Sequence, residues 1–148
     1  MRYLEDFTAG QVIPFGAVVV TEAEIVDFAG QFDPQVFHLD PDAPLTREMG
    51  GLLASGWHTT ALFMRLAVEA YLADSAILMS PGVDEVRWLQ PVRSGDVISG
   101  EALVHEVRAS QSRADRGILT TKVRLWNQRQ TDVLTLTAHA FVRKANVG

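Results

Sequence analysis

The chain has 148 residues, no cysteine and a net charge of −5, with a mean hydropathy of +0.08. The length suits one domain, 1–148, with a full core; the missing cysteines exclude disulfides, thiolate metal sites and a cysteine nucleophile; and the acidic balance argues against a nucleic-acid surface. No apolar run reaches the roughly 18 residues of a membrane span, and the opening MRYLEDFTAGQVIPFG lacks the charged-then-apolar layout of a signal segment, so a cytoplasmic location is expected. A 47% hydrophobic content points to a hidden interface, hence a homodimer or higher homo-oligomer.

In chain order, QVIPFGAVVV mixes β-branched residues with Gly and Pro and predicts a first strand. TEAEIVDFAGQF opens with Thr21 and places Glu24 three positions later, a capping box, and predicts a short helix that stops before Pro34. Residues 33–50, with Pro34, Pro41 and Pro44, predict an irregular arm, and loops of this length tend to be functional. A long helix follows over about Trp57 to Ala73, capped by Ser55. Leu62, Phe63, Leu66, Ala70 and Tyr71 share a face, and only His58, Arg65 and Glu69 interrupt an apolar surface, so the helix is expected to be buried all round.

Beyond Gly82 the period shortens. DEVRWLQPV, DVISGEALVHEVRAS, GILTTKVRLWNQ and VLTLTAHAFVRK read as strands, with turns at Ser94-Gly95-Asp96, around Arg116-Gly117 and across Arg129 to Asp132. Leu134, Leu136, Ala138, Ala140 and Val142 share one face of the last strand. An α+β domain with an antiparallel sheet wrapped around one long buried helix satisfies this order, which is the hot dog arrangement.

Asp33 and His38 sit five positions apart on the arm, beside Phe32, Phe37 and Leu39. Adding water to an activated double bond requires a group that takes a proton and one that holds or returns it, and carboxylate with imidazole can be tuned for both tasks. A second reading stays open, in which Asp33-Pro34 starts a turn and His38 is a hydrogen-bonded loop residue. Ser55 and Gly56 stand where a helix start presents free N–H groups to a ligand oxygen; they are equally consistent with a plain cap and a tight bend. His58 reads as a core histidine bonded to a carbonyl, and His105 and His139 as strand residues. No histidine pair has metal-binding helical spacing, so no metal is expected. Arg87 and Arg93 lie beside a turn; the plainer reading is that both are solvated, and the second is that they meet a phosphate-bearing ligand.

Three blocks, FAGQFDPQVFHLDP, GGLLASGWHTTAL and VRWLQPVRSGDVI, carry a resemblance to the MaoC-like dehydratase family, whose hot dog members include R-specific enoyl-CoA hydratases. The resemblance spans about residues 5 to 144. It implies that Asp33 and His38 bind and activate water and that the Gly56 region gives an N–H to a thioester carbonyl. It also implies an acyl group on CoA or on an acyl carrier protein, lying along the long helix near a dimer interface, and no cofactor beyond that carrier. Gln35 and Trp57 complete the expected substrate-binding residues, with Arg87 and Arg93. Two positions depart from the common pattern: Gln35 stands where many members have Asn, and Ser55 precedes Gly56 where many have His.

The leading expectation is a hydro-lyase that interconverts a trans-2-enoyl thioester and an R-configured 3-hydroxyacyl thioester. The alternatives are an acyl-CoA thioesterase, which needs a carboxylate on or near the long helix, where before its final residues there is only Glu69 several turns in, and a non-catalytic acyl-binding subunit of the same fold.

Overall fold

A computed structural model describes residues 1–146. Where one first strand was predicted there are two short ones, β1 (Val12–Pro14) and β2 (Val18–Val19). Pro14 has no N–H to carry a ladder onward, and the chain re-engages through Phe15 N–H, which donates to Gly100 O at 2.8 Å. Helix α1 (Glu22–Phe32) begins on the predicted box: Glu24 N–H donates to Thr21 Oγ1 at 3.2 Å, and Thr21 N–H to the Glu24 carboxylate at 3.3 Å. It stops at Asp33, ahead of Pro34.

The arm is more ordered than its prolines suggested. It contains two short helices, α2 (Val36–Leu39) and α3 (Pro44–Glu48). Proline is well suited to a first helical position, where its missing N–H costs nothing, so Pro44 starts α3 rather than breaking it. Gly50 and Gly51 then turn the chain with φ of +81° and +118°, a region closed to most side chains. Helix α4 (Gly56–Ala67) starts one residue before its predicted position and runs into a π-helical turn, Val68–Leu72.

The remaining strands are β3 (Ile77–Trp88), β4 (Val97–Ala109), β5 (Arg116–Trp126) and β6 (Asp132–Arg143). They pair antiparallel in the order β1-β4-β5-β6-β3, with β2 also on β4. β3 begins at Ile77, well before the predicted Asp84, and passes through Pro81. It is an edge strand paired only to β6, which is where a proline is tolerated. Positive φ at Gly82 (+139°) and Glu85 (+53°) accompanies its register shifts. The turn predicted around Arg116-Gly117 lies just before that point, because β5 already starts at Arg116.

The sheet packs its inner face on α4. Leu62, Phe63, Leu66 and Tyr71 join Ile98, Leu119, Leu125, Leu134 and Leu136 in one buried cluster. The expectation of a helix buried all round is corrected: Trp57, Met64 and Val68 are exposed at 60%, 46% and 39%. Met64 lines a groove together with Ile77, Ser80 and Val83 of β3. Among the described residues no helix is long and apolar enough to cross a membrane.

Leu66 is 1% exposed at the centre of the cluster. Leu66→Ala is expected to lower the unfolding free energy by about 2–5 kcal/mol, read from urea denaturation.

Candidate active site

The end of α1 and the start of α4 meet at one carboxylate. Asp33 terminates α1 with non-helical backbone angles, because the following Pro34 resists the helical conformation at its predecessor. Its side chain is 18% exposed. Ser55 Oγ donates to Asp33 Oδ2 at 2.7 Å, and Gln35 Nε2 donates to Oδ1 at 2.7 Å. His38 Nε2 stands 3.2 Å from Oδ2. A carboxylate offers about four acceptor positions, so these partners leave room for one more donor, such as a water.

His38 is buried on α2, its ring edge-on to Phe37 at 4.5 Å. Its Nδ1 lies 2.5 Å from Leu53 O, a carbonyl that can only accept, so Nδ1 carries a proton and donates it. That fixes the ring and turns Nε2 to Asp33. Asp33 and His38 thus form a carboxylate–imidazole pair whose orientation is set by a backbone carbonyl on one side and a hydroxyl on the other.

The Ser55 hydroxyl holds the Asp33 carboxyl below its ordinary range, the Gln35 amide adds to this, burial opposes it, and the charge and hydrogen bond of His38 lower it further. Asp33 is thus a carboxylate at neutral pH, the form a general base requires. Ser55 Oγ also accepts the Trp57 N–H at 3.2 Å, so one hydroxyl both caps α4 and fixes the base. The Gly56 N–H donates to no acceptor among the described residues. It points out of the positive end of α4, at a place where a ligand oxygen would be stabilised.

Asp33, His38, Ser55, Gly56 and Gln35 thus come together, with Gln35 holding the carboxylate. Trp57 lies beside them, one step along α4 and open to solvent. The two arginines do not join the cluster. Arg87 pairs in register with Thr135, beside Arg124 and Glu101 on the outer face of the sheet, away from α4. Arg93 is engaged in holding the arm: its guanidinium donates to Met49 O at 2.6 Å and Gly51 O at 3.2 Å. His58 is buried as expected, but the expected carbonyl is absent. Its ring stacks on Phe28 at 4.9 Å, Nδ1 has no partner, and burial lowers its pKa, so it stays neutral. His139 is more engaged than a plain strand residue, bridging Asp84 at 2.7 Å and Thr120 at 3.1 Å.

Two contributors were not foreseen. The Leu53 carbonyl leaves no trace in side-chain chemistry. Trp88, whose ring lies against Gly56, was passed over inside a strand, although a glycine at a helix start invites a close neighbour.

Because the folded pKa of Asp33 is depressed, its contribution to stability is present above the unfolded value of about 4 and is lost as pH falls through the folded value. The difference in unfolding free energy between wild type and Asp33→Asn is therefore expected to shrink between pH 7 and about pH 3, measured by denaturant titration at each pH.

The chain is similar over most of its length to known proteins. The model of the MaoC like domain matches residues 7–127. The crystal structure of a MaoC-like dehydratase from Rhodospirillum rubrum is 40% identical, with a TM-score of 0.88 over 99% of both chains. The Bacillus subtilis protein YdeM, itself uncharacterized, is 29% identical over 130 residues, 88% of this chain and 91% of its own. The R-hydratase PhaJ1 of Pseudomonas aeruginosa is 21% identical with a TM-score of 0.78, covering 96% of this chain and 86% of that one, a likeness of fold alone. The hot dog fold and the match across most of its length mean that this chain belongs to the MaoC-like dehydratase family, whose class of reaction is the addition or removal of water.

Proposed function

We propose that the protein is a hydro-lyase that interconverts a trans-2-enoyl thioester and the R-3-hydroxyacyl thioester, with CoA as the carrier. The observation that carries this reading is the Asp33–His38 contact of 3.2 Å beside the unpartnered Gly56 N–H. In the hydration direction a water donates to Asp33. As its oxygen bonds to C3, its proton passes to the Asp33–His38 pair and the C2–C3 π electrons move into the thioester. The carbonyl oxygen gains negative charge and is held by the Gly56 N–H at the positive end of α4. The pair then gives a proton to C2, so water is added across the double bond without net change in the enzyme.

The acyl tail is assigned to an apolar cavity of about 160 Å³ between α4 and the sheet, lined by Phe63, Met64, Tyr71, Leu72, Leu119 and Ala138. Phe63 lies seven residues into α4, roughly 10 Å from Gly56 at the helical rise, so a short crotonyl group stops before the cavity and a longer tail enters it. The unpaired edge of β3, with exposed Met79 and with Val83 lining a groove shared with exposed Met64, is assigned to a second copy of the chain. An exposed apolar edge strand is a liability unless covered, and light scattering is expected to give twice the chain mass of 16.3 kDa.

The thioesterase alternative is disfavoured because Glu69 lies beyond α4 proper and is paired with Arg65 at 3.1 Å. The inactive-subunit alternative is disfavoured by the intact Asp33–His38 pair.

Purified protein is expected to hydrate crotonyl-CoA and longer trans-2-enoyl-CoA substrates, followed by loss of the conjugated absorbance. Asp33→Asn and His38→Ala are each expected to lose at least ~100-fold in kcat, the scale of an acid–base group. Ser55→Ala removes the strongest influence on the Asp33 carboxyl, so the acidic limb of kcat/KM is expected to move to higher pH. A fully active Asp33→Asn enzyme would contradict the reading.

A further inference from the structure

The first turn of α4 has a second flank, opposite the one that meets Asp33. At 3.6 residues per turn, roughly 100° per residue, His58, Leu62 and Arg65 form one side of the helix. They line the groove shared with α1, along with Phe28 and Phe32. Gly56 and Thr60 lie roughly half a turn round from that side, and Trp88 is packed against them.

A Cβ at Gly56 would meet Trp88 Cδ2 at 2.4 Å, Cε2 at 2.6 Å and Cε3 at 2.7 Å, so the indole occupies the space in which any other residue would carry its side chain. In a helix the Cα–Cβ bond tilts toward the N-terminus, the same direction as the free N–H groups of the first turn. The indole therefore lies beside the Gly56 N–H, next to the place that a carbonyl held there would take.

The ring is also fixed. Trp88 Nε1 donates to Thr60 Oγ1 at 3.0 Å, and Thr60 Oγ1 donates to Gly56 O at 3.0 Å. Trp57 meets it edge-on, with centroids 5.2 Å apart and planes at 76°. Trp88 nonetheless remains 46% exposed. The indole is thus held by one hydrogen bond to Thr60, which is itself tied to Gly56 O, at the mouth of a helix N-terminus, with nearly half of the residue still open to solvent.

We propose that Trp88 is a specificity-determining residue: its indole backs the enoyl thioester on the face away from Asp33 and His38, so that water reaches C3 from one face only. The inference rests on the hydro-lyase reading, because the carbonyl on Gly56 is what brings the conjugated plane to the indole. An enoyl thioester is planar from C1 to C3 and stacks on a flat ring. With Asp33 and its water on one side and the indole on the other, the plane cannot turn over. Thr60 acts through Trp88 as a positioning residue.

The test uses the full-length protein and two readouts. In the first, the 3-hydroxyacyl-CoA formed from crotonyl-CoA is resolved by chiral chromatography. Wild type is expected to give one enantiomer. Trp88→Ala is expected to yield the other enantiomer at several per cent or more and to raise KM about tenfold, the upper range for a lost aromatic contact. Trp88→Phe, which keeps a flat ring, is expected to restore most of the selectivity, and Thr60→Val is expected to weaken it.

In the second readout, the Trp88 indole N–H resonance, identified by its loss in Trp88→Phe, is followed during titration with butanoyl-CoA. That thioester has no double bond to hydrate, and the resonance is expected to shift saturably. A folded Trp88→Ala enzyme that gives a single enantiomer with KM within twofold of wild type overturns the inference and leaves the hydro-lyase reading standing. A Trp88 resonance that stays put while others move does the same. Wild type that hydrates no enoyl thioester removes the hydro-lyase reading and this inference with it.

Discussion

The site depends on one hydrogen bond, from the Ser55 hydroxyl to the Asp33 carboxylate at 2.7 Å. It ties the residue that caps the end of α1 to the cap of α4, two points 22 residues apart in the chain. The same Ser55 oxygen accepts the Trp57 N–H, so the geometry of the helix start and the direction of the base are set together. A hydrogen bond to a charged group in a part-buried setting contributes about 1.5–3 kcal/mol, and here it favours the ionised base over its acid form. Stability and catalysis therefore pull in the same direction at this residue.

The fold makes that bond possible. A helix enclosed by a sheet brings its N-terminus out where the connecting arm can cross it. The arm is held down by Arg93 through the carbonyls of Met49 and Gly51, and by Leu53, whose N–H donates to Phe37 O at 3.0 Å while its carbonyl accepts from His38. Backbone groups of one short stretch thus orient the imidazole while a side-chain hydroxyl orients the carboxylate. On the other flank of the helix, Gly56 allows Trp88 to approach to a distance that no other residue would permit. The absence of one side chain brings an aromatic wall and an unobstructed N–H to the same place.

Much of this was legible from residue pattern. The capping box at Thr21, the stop at Pro34, the Ser55 cap and the alternation of Leu134, Leu136 and Val142 each follow from local chemistry, and local chemistry is what a sequence displays directly. Asp33 and His38 were legible as a pair because both lie on one arm at a spacing the family shares. What escaped was set by distant partners. β3 extends back to Ile77 because β6 pairs with it, although the strand pattern reads only from Asp84. Arg87 and Arg93 looked alike beside a turn, yet strand register sends one to the outer face and the arm's carbonyls claim the other. Trp88 lay unremarked in a strand, and only its register opposite Leu134 turns it toward α4. The open side of the helix, with Met64 and Val68 uncovered, could not be read from a sequence apolar nearly all round, because it depends on where the sheet ends.

The most direct measurement is a crystal structure with R-3-hydroxybutanoyl-CoA bound. The account predicts the 3-hydroxyl oxygen within hydrogen-bonding distance of both Asp33 and His38 Nε2, with the thioester carbonyl oxygen on the Gly56 N–H. A hydroxyl group remote from both side chains, or a carbonyl that leaves the Gly56 N–H vacant, would contradict it.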